Sequence, residues 1–271
     1  MATTAARLEE SPALIRPPYA PWYKPVPDVE HPPRDGDDDS EWDRAAAAAR
    51  RGYAGRRRGD LNAAVAELRS ALALFGALGD RRSALPVHCA LAEIHFTSGD
   101  FDAAAAVHRR ALTVCPGDPV SLIGLAYAHW YQGFFADALT LLGEALESRS
   151  EQDVARGARG QLLADLGRAP AALADLESAP DGPDTRSARA LALDALCREE
   201  ESDREREAAL RLAPDLPRTH LRIARVQLRR GAVDAARQSL GRALAGDPPL
   251  PPAHAAQARR LLDQMARGDA D

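Results

Sequence analysis

Five stretches of the chain carry one phrase: a glycine, one spacer, an apolar residue, an alanine three positions on and a small residue seven further. It opens at Gly59 in "GDLNAAVAELRSALAL", Gly99 in "GDFDAAAAVHRRALTV", Gly133 in "GFFADALTLLGEAL", Gly167 in "GRAPAALADLESA" and Gly231 in "GAVDAARQSLGRALA". From Gly99 to Gly133 and on to Gly167 the interval is 34 residues each time. A fixed period of that length predicts stacked copies of one supersecondary unit. Alanine and leucine, the best helix formers, fill the phrases, so the units are expected to be helical.

At these residues the chain resembles the tetratricopeptide repeat family. Gly99, Phe101, Ala104, Ala111 and Pro116 carry the match in one repeat, Gly133, Phe135, Ala138 and Ala145 in the next, and Gly231, Ala236, Ala243 and Pro248 in the last. Leu91–Ala92, Leu125–Ala126 and Ile223–Ala224 fill the family's large-then-small pair. The resemblance implies an all-α, right-handed superhelical solenoid of antiparallel helix pairs. In each pair glycine turns the chain, small residues sit where helices cross, and proline stops the second helix. Six units are expected, at about 45–84, 85–118, 119–152, 153–182, 183–216 and 217–250. The first has a long second helix, because Gly59 and Gly99 are 40 residues apart, and the fifth is degenerate, with Cys197 in the glycine slot. The expected domains are a Pro-rich acidic extended tail over 1–40, the array over 41–250, and a capping helix with a short tail over 251–271.

Charge sharpens that division. The formal net charge is −5, and all of the excess lies in residues 1–44, leaving a neutral body that gives no reason to expect nucleic acid as a partner. All but one of the 35 basic residues are arginine, which together with the abundant alanine points to GC-rich coding and a bacterial source. Three cysteines, Cys89, Cys115 and Cys197, show no paired motif spacing, which fits a reducing cytoplasm. Neither a secretory signal nor a run of membrane-spanning length is visible.

In the family the first helix of each unit lines the concave face, and the phase from each glycine maps that face here. It receives Tyr53, Arg56 and Arg57, then Cys89, Glu93 and Phe96, then Ile123, Tyr127, Trp130 and Tyr131. Gln161 and Asp165 follow, then Ser187, Leu191 and Asp194, and finally Arg218, Leu221, Arg225 and Arg229. The expectation is a groove with an exposed aromatic middle and arginine ends, the residue types of interaction hot spots; packing of Tyr127 and Trp130 between helices is the competing reading. The lysine–asparagine clamp that the family uses for chaperone tails is absent, its slots holding Ala49, Tyr53 and Val120.

Chemistry is sparse. His88, His95 and His129, with Cys89 or Glu93 near, form the one cluster suggestive of a metal or an enzyme, yet they lack any recognised ligand spacing. No nucleophile elbow or phosphate loop occurs. The expected function is a non-catalytic scaffold or adaptor without cofactor, binding a protein or peptide in its groove as an assembly or regulatory factor, with no membrane contact. "IRPPYAPWYKP" in the tail offers Tyr19, Trp22 and Tyr23 as anchors, either for the chain's own groove or for another protein.

Overall fold

The computed structural model describes residues 41–148 and 152–268. Tyr19, Trp22, Tyr23 and the expected docking of residues 1–40 lie outside the described residues. Thirteen helices and no strand occur among those described, and they form an all-α repeat solenoid. The helices pair in sequence order as α1 (Glu41–Arg58) with α2 (Leu61–Ala77), α3 (Arg81–Thr97) with α4 (Phe101–Val114), and α5 (Pro119–Gln132) with α6 (Phe135–Ala145). Then come α7 (Gln152–Asp165) with α8 (Ala169–Leu176), α9 (Pro183–Ala195) with α10 (Glu199–Leu212), and α11 (Pro217–Arg229) with α12 (Val233–Ala245). A single helix, α13 (Pro252–Gly268), follows.

The turns are written in "GD". Gly59, Gly79 and Gly99 take φ of +82°, +66° and +75°, left-handed values that favour glycine. Each is followed by an aspartate that caps the next helix, Asp80 accepting from the Ser83 amide at 3.1 Å and Asp100 from that of Ala103 at 3.0 Å. Gly79 and Asp80 also move a boundary. Where the sequence suggested a second unit from about 85, α3 starts at Arg81, because Asp80 caps it there; Asp80 also accepts from Trp42 Nε1 at 2.9 Å. The extra residues lengthen α3, which carries Pro86 in its second turn.

The described residues fall into two compact units, 41–128 and 129–268, with the division inside α5. The first has a core of Ala45, Ala49, Tyr53, Leu68, Phe75, Leu91 and Ile94. In the second, α7 packs on α9 and α9 on α11, so the first helices of successive pairs share one face. Clusters around Leu163, Leu176 and Ala188, and around Leu221, Leu240 and Met265, fill it behind that face. An alanine-rich core contributes little area per residue, so helices must come close. Gly160 shows how close: a Cβ there would lie 2.7 Å from Leu176 Cγ and 3.1 Å from the Ala172 carbonyl. Even the highly charged α10 docks this way, burying Ser202 and Ala209, with Ser202 Oγ donating to the Ala190 carbonyl at 2.8 Å.

Candidate functional site

Along α11, Arg218, Arg222, Arg225 and Arg229 recur at intervals of four and three, which places them on one helical face. That face meets α7 and α9 in the second unit. Arg218 and Arg222 are 1 % and 2 % exposed. Charges so buried must be paired and hydrogen-bonded, or the desolvation cost would exclude them. Arg218 donates to Asp184 Oδ1 at 3.1 Å through Nε, to the Tyr131 hydroxyl at 2.6 Å and to Gln161 Oε1 at 3.4 Å. Its guanidinium lies 5.3 Å from the centroids of both the Trp130 and Tyr131 rings, within cation–π range. Arg222 forks onto Asp165, Nε to Oδ1 at 2.8 Å and Nη2 to Oδ2 at 3.0 Å. Its Nη1 donates to the Asp184 carbonyl at 2.9 Å and to Ser187 Oγ at 3.1 Å. Farther along, Asp194 accepts from Arg229 at 2.9 Å and from Arg230 at 2.6 Å.

Helix ends explain much of the placement. Asp184 sits in the first turn of α9 behind Pro183, where the helix dipole favours an anion. Asp165 and Asp194 stand in the last turns of α7 and α9, where the dipole opposes an anion, and the α11 arginines offset this. Burial alone would push the Asp165 carboxyl up; Arg222, joined by His254, holds it well below the usual carboxylate range. His254 comes from the first turn of α13 and stands 3.7 Å from Asp165 Oδ2, with its ring 5.7 Å from Trp130 and 5.6 Å from Tyr131. Burial lowers its pKa, and Asp165 works against that. The Tyr131 hydroxyl is pushed up by burial, with Arg218 opposing.

The expected exposed aromatic patch takes a different form. Tyr127, Trp130 and Tyr131 are each 1 % exposed and Phe96 is 7 %, as the large apolar area of aromatic rings favours. The competing reading from sequence, packed aromatics, describes their surroundings. In the first unit Arg56 pairs with Glu93, both largely buried, Phe96 packs edge-on to Phe101 at 5.1 Å, and Arg57 is exposed. Of the arginines expected at the far end, Arg218 is buried, Arg225 is half-buried and the Arg229 side chain is 41 % exposed.

The histidine cluster does not assemble a ligand set. His88 and His95 belong to the first unit and His129 to the second, and among the described residues no group of three or more His, Cys, Asp or Glu side chains is placed to hold a metal ion. His88 is buried and its pKa is lowered to about 4, first by burial and then by Arg110. Burial together with the neighbouring His88 lowers His108 to about 4 as well. Burial raises the Cys89 thiol to about 12, the opposite of an activated nucleophile.

Arg222, Asp184, Arg230 and His254 were not singled out from sequence. The stripe spacing on α11 implies Arg222 once Arg218 and Arg225 are placed, whereas nothing local points to His254. Between α13 and the ends of α5 and α7 lies a cavity of about 90 Å³ bordered by Trp130, Phe135, Leu162, Asp165, His254 and Arg260, among others. That is well short of the roughly 300 Å³ at which small-molecule sites begin. Among the described residues no helix is long and apolar enough to cross a membrane.

Comparison with known proteins fits this architecture. One tetratricopeptide repeat profile matches residues 123–187 and a second matches 90–128. No curated protein matches the chain. Among solved structures, a tetratricopeptide repeat protein from Parabacteroides merdae ATCC 43184 aligns with a TM-score of 0.59 at 17% identity, covering 83% of this chain and 87% of that one. PilF of Pseudomonas aeruginosa aligns at 0.55 and 18% identity, over 75% of this chain and 92% of its own. The Cut9–Hcn1 hetero-tetramer of the APC/C aligns at 0.59 and 15% identity, over 83% of this chain and 43% of that chain. Identities this low speak to fold alone. Residues 90–187 thus match the tetratricopeptide repeat family, and the same helix pair recurs on both sides of that stretch.

Proposed function

We propose that this protein is a non-catalytic scaffold that binds a partner protein or peptide along the faces formed by its first helices, as an assembly or regulatory factor of a larger complex. The observation that carries the reading is the α11 face, where deeply buried arginines locked to α7 and α9 make a stiff platform, and the partly buried Arg225 and the exposed Arg229 continue it toward solvent. A preorganised surface loses little side-chain entropy on binding. Proteins of this family generally bind other proteins, and the Cut9–Hcn1 neighbour is itself a hetero-complex.

Site-specific photo-crosslinking tests this. A photoreactive residue at Arg57 or Arg229 is expected to capture a discrete partner in cells, whereas one at the exposed Glu144 or Asp234 on second helices is not. Equal capture from all four positions, or capture only from the second-helix positions, would remove the first-helix faces from the proposal.

A further inference from the structure

The arginines around α11 outnumber the acids that face them. Arg218, Arg222, Arg225, Arg229 and Arg230 meet Asp165, Asp184, Asp194 and Asp203, and Asp203 is shared with Arg206 of α10. The stripe is therefore short of counter-charge. The geometry points to Arg225. Its contact is Nη1 to Asp165 Oδ1 at 3.5 Å, beyond good hydrogen-bond range, and that carboxylate already accepts both arms of Arg222. Asp165 also faces His254 at 3.7 Å. So the Arg225 side chain is mostly desolvated, 17 % exposed, and makes no hydrogen bond among the described residues. A planar group with five donors in that state matches a carboxylate, which it can take in two parallel bonds. Arg229, one turn on, spends Nη1 on Asp194 and keeps its side chain 41 % exposed. Two arginines four residues apart on one helix present such forks side by side. Burial lowers the Arg225 pKa, with Asp165 opposing and Arg222 and Arg229 adding to it, which agrees with a cation short of counter-charge.

We propose that Arg225, supported by Arg229, anchors side-chain carboxylates of an acidic segment of a separate partner protein on the α11 face. The inference rests on the scaffold reading and names the chemistry of its ligand. Because the body of the chain carries no net positive charge, attraction for a polyanion such as nucleic acid is not the basis. A local excess of arginine, by contrast, selects for local carboxylates.

The test is fluorescence anisotropy at low salt, with the full chain titrated into fluorescein-labelled hexaglutamate and, separately, hexaglutamine. Hexaglutamate is expected to bind and hexaglutamine not. Arg225→Gln is expected to weaken hexaglutamate binding at least tenfold, and Arg225→Lys to give an intermediate loss, because it keeps the charge without the fork. Arg211→Gln, on the exposed side of α10, is expected to leave binding unchanged. Melting curves of the variants, expected within a few degrees of wild type, separate loss of the site from loss of the fold. Equal losses in Arg211→Gln and Arg225→Gln, or no effect of Arg225→Gln, would overturn the proposal. Absence of binding by the full chain that returns on removal of residues 1–40 would assign the site to the chain's own acidic leader and overturn the separate-partner assignment. Crosslinks from Arg57 and Arg229 that persist while Arg225→Gln has no effect would leave the scaffold standing without this contact.

Discussion

Arg222 and Asp165 lie 57 residues apart in sequence and meet as a bidentate fork, at 2.8 and 3.0 Å, joining α11 to α7 across the intervening helix pair. The same arginine reaches Asp184 and Ser187 on α9, so one side chain ties three successive first helices. In a repeat protein each unit mainly contacts its neighbours, and stability is close to a sum of nearest-neighbour terms. A contact that skips a unit makes the second unit more cooperative than that sum.

Breaking the fork should therefore be costly. Arg222→Met leaves Asp165 buried without its main counter-charge, and removing one member of a buried pair costs about 3–5 kcal/mol. Arg222→Lys retains the charge but not the fork or the bond to Ser187, and is expected to cost less than Arg222→Met. Urea unfolding followed by circular dichroism measures both. A loss under 1 kcal/mol for Arg222→Met would mean that solvent reaches the pair.

Cys197 presents the opposite case, a position where the natural residue is not the best one. It occupies the slot that the other repeats give to glycine, is exposed, and takes φ of +58°. The left-handed region costs a residue with a Cβ roughly 1–2 kcal/mol. Cys197→Gly is expected to raise stability by about 1 kcal/mol, since glycine's larger unfolded-state entropy offsets part of the gain. Cys197→Val should destabilise, and thermal melts of the pair give the comparison.

Much of the site was legible because two periodicities coincide. Helical spacing within a unit and the repeat phase between units together put Gln161, Asp165, Ser187, Asp194, Arg218, Arg225 and Arg229 on one face, and the structure brings them onto it. Arg56 and Glu93, mapped to adjacent inward positions, do form an ion pair. What periodicity cannot supply is depth. Tyr131 and Trp130 have the composition of a hot spot, yet whether such rings are exposed depends on what packs across them, and here that includes Arg218 and His254. His254 enters from α13, outside the repeat phase, and Asp184 stands in the first turn of α9, ahead of Ser187, the first inward position that the phase picks out there. The boundary between the first two repeats was set at about 85 by the 34-residue phase, whereas Asp80 caps a helix that starts at Arg81.

Acid should loosen the first unit before the carboxylates titrate. His88 and His108 fall from an ordinary 6.5 to about 4 in the folded chain, both chiefly through burial. As pH drops below about 6.5 the unfolded chain takes up these protons and the folded one does not. Stability is therefore lost between about 6.5 and 4, at up to roughly 1.4 kcal/mol per pH unit for each histidine. Guanidinium titrations at pH 7.5 and 5 are expected to show the loss, and His88→Gln should show a smaller one. Equal stability of the wild type at the two pH values would mean that both histidines accept protons while folded.

Gly160 sets two general effects against each other. Alanine in a helix interior is favoured over glycine by about 1 kcal/mol, so Gly160→Ala in α7 would stabilise an isolated helix. In the folded chain the new methyl group would lie 2.7 Å from Leu176 Cγ and 3.1 Å from the Ala172 carbonyl. Leu176 is fully buried and the carbonyl belongs to α8, so relief requires the two helices to part, and overpacking of this kind costs about 1–3 kcal/mol. The crowding is expected to win, giving a net loss of about 1 kcal/mol. Gly241→Ala in α12 is the matched control, because nothing lies within 4 Å of its added Cβ. There the propensity term acts alone, and a gain of about 0.5–1 kcal/mol is expected. Urea titrations of the two variants should thus shift the midpoint in opposite directions, and a shift of the same sign in both would show that α7 and α8 have room to separate.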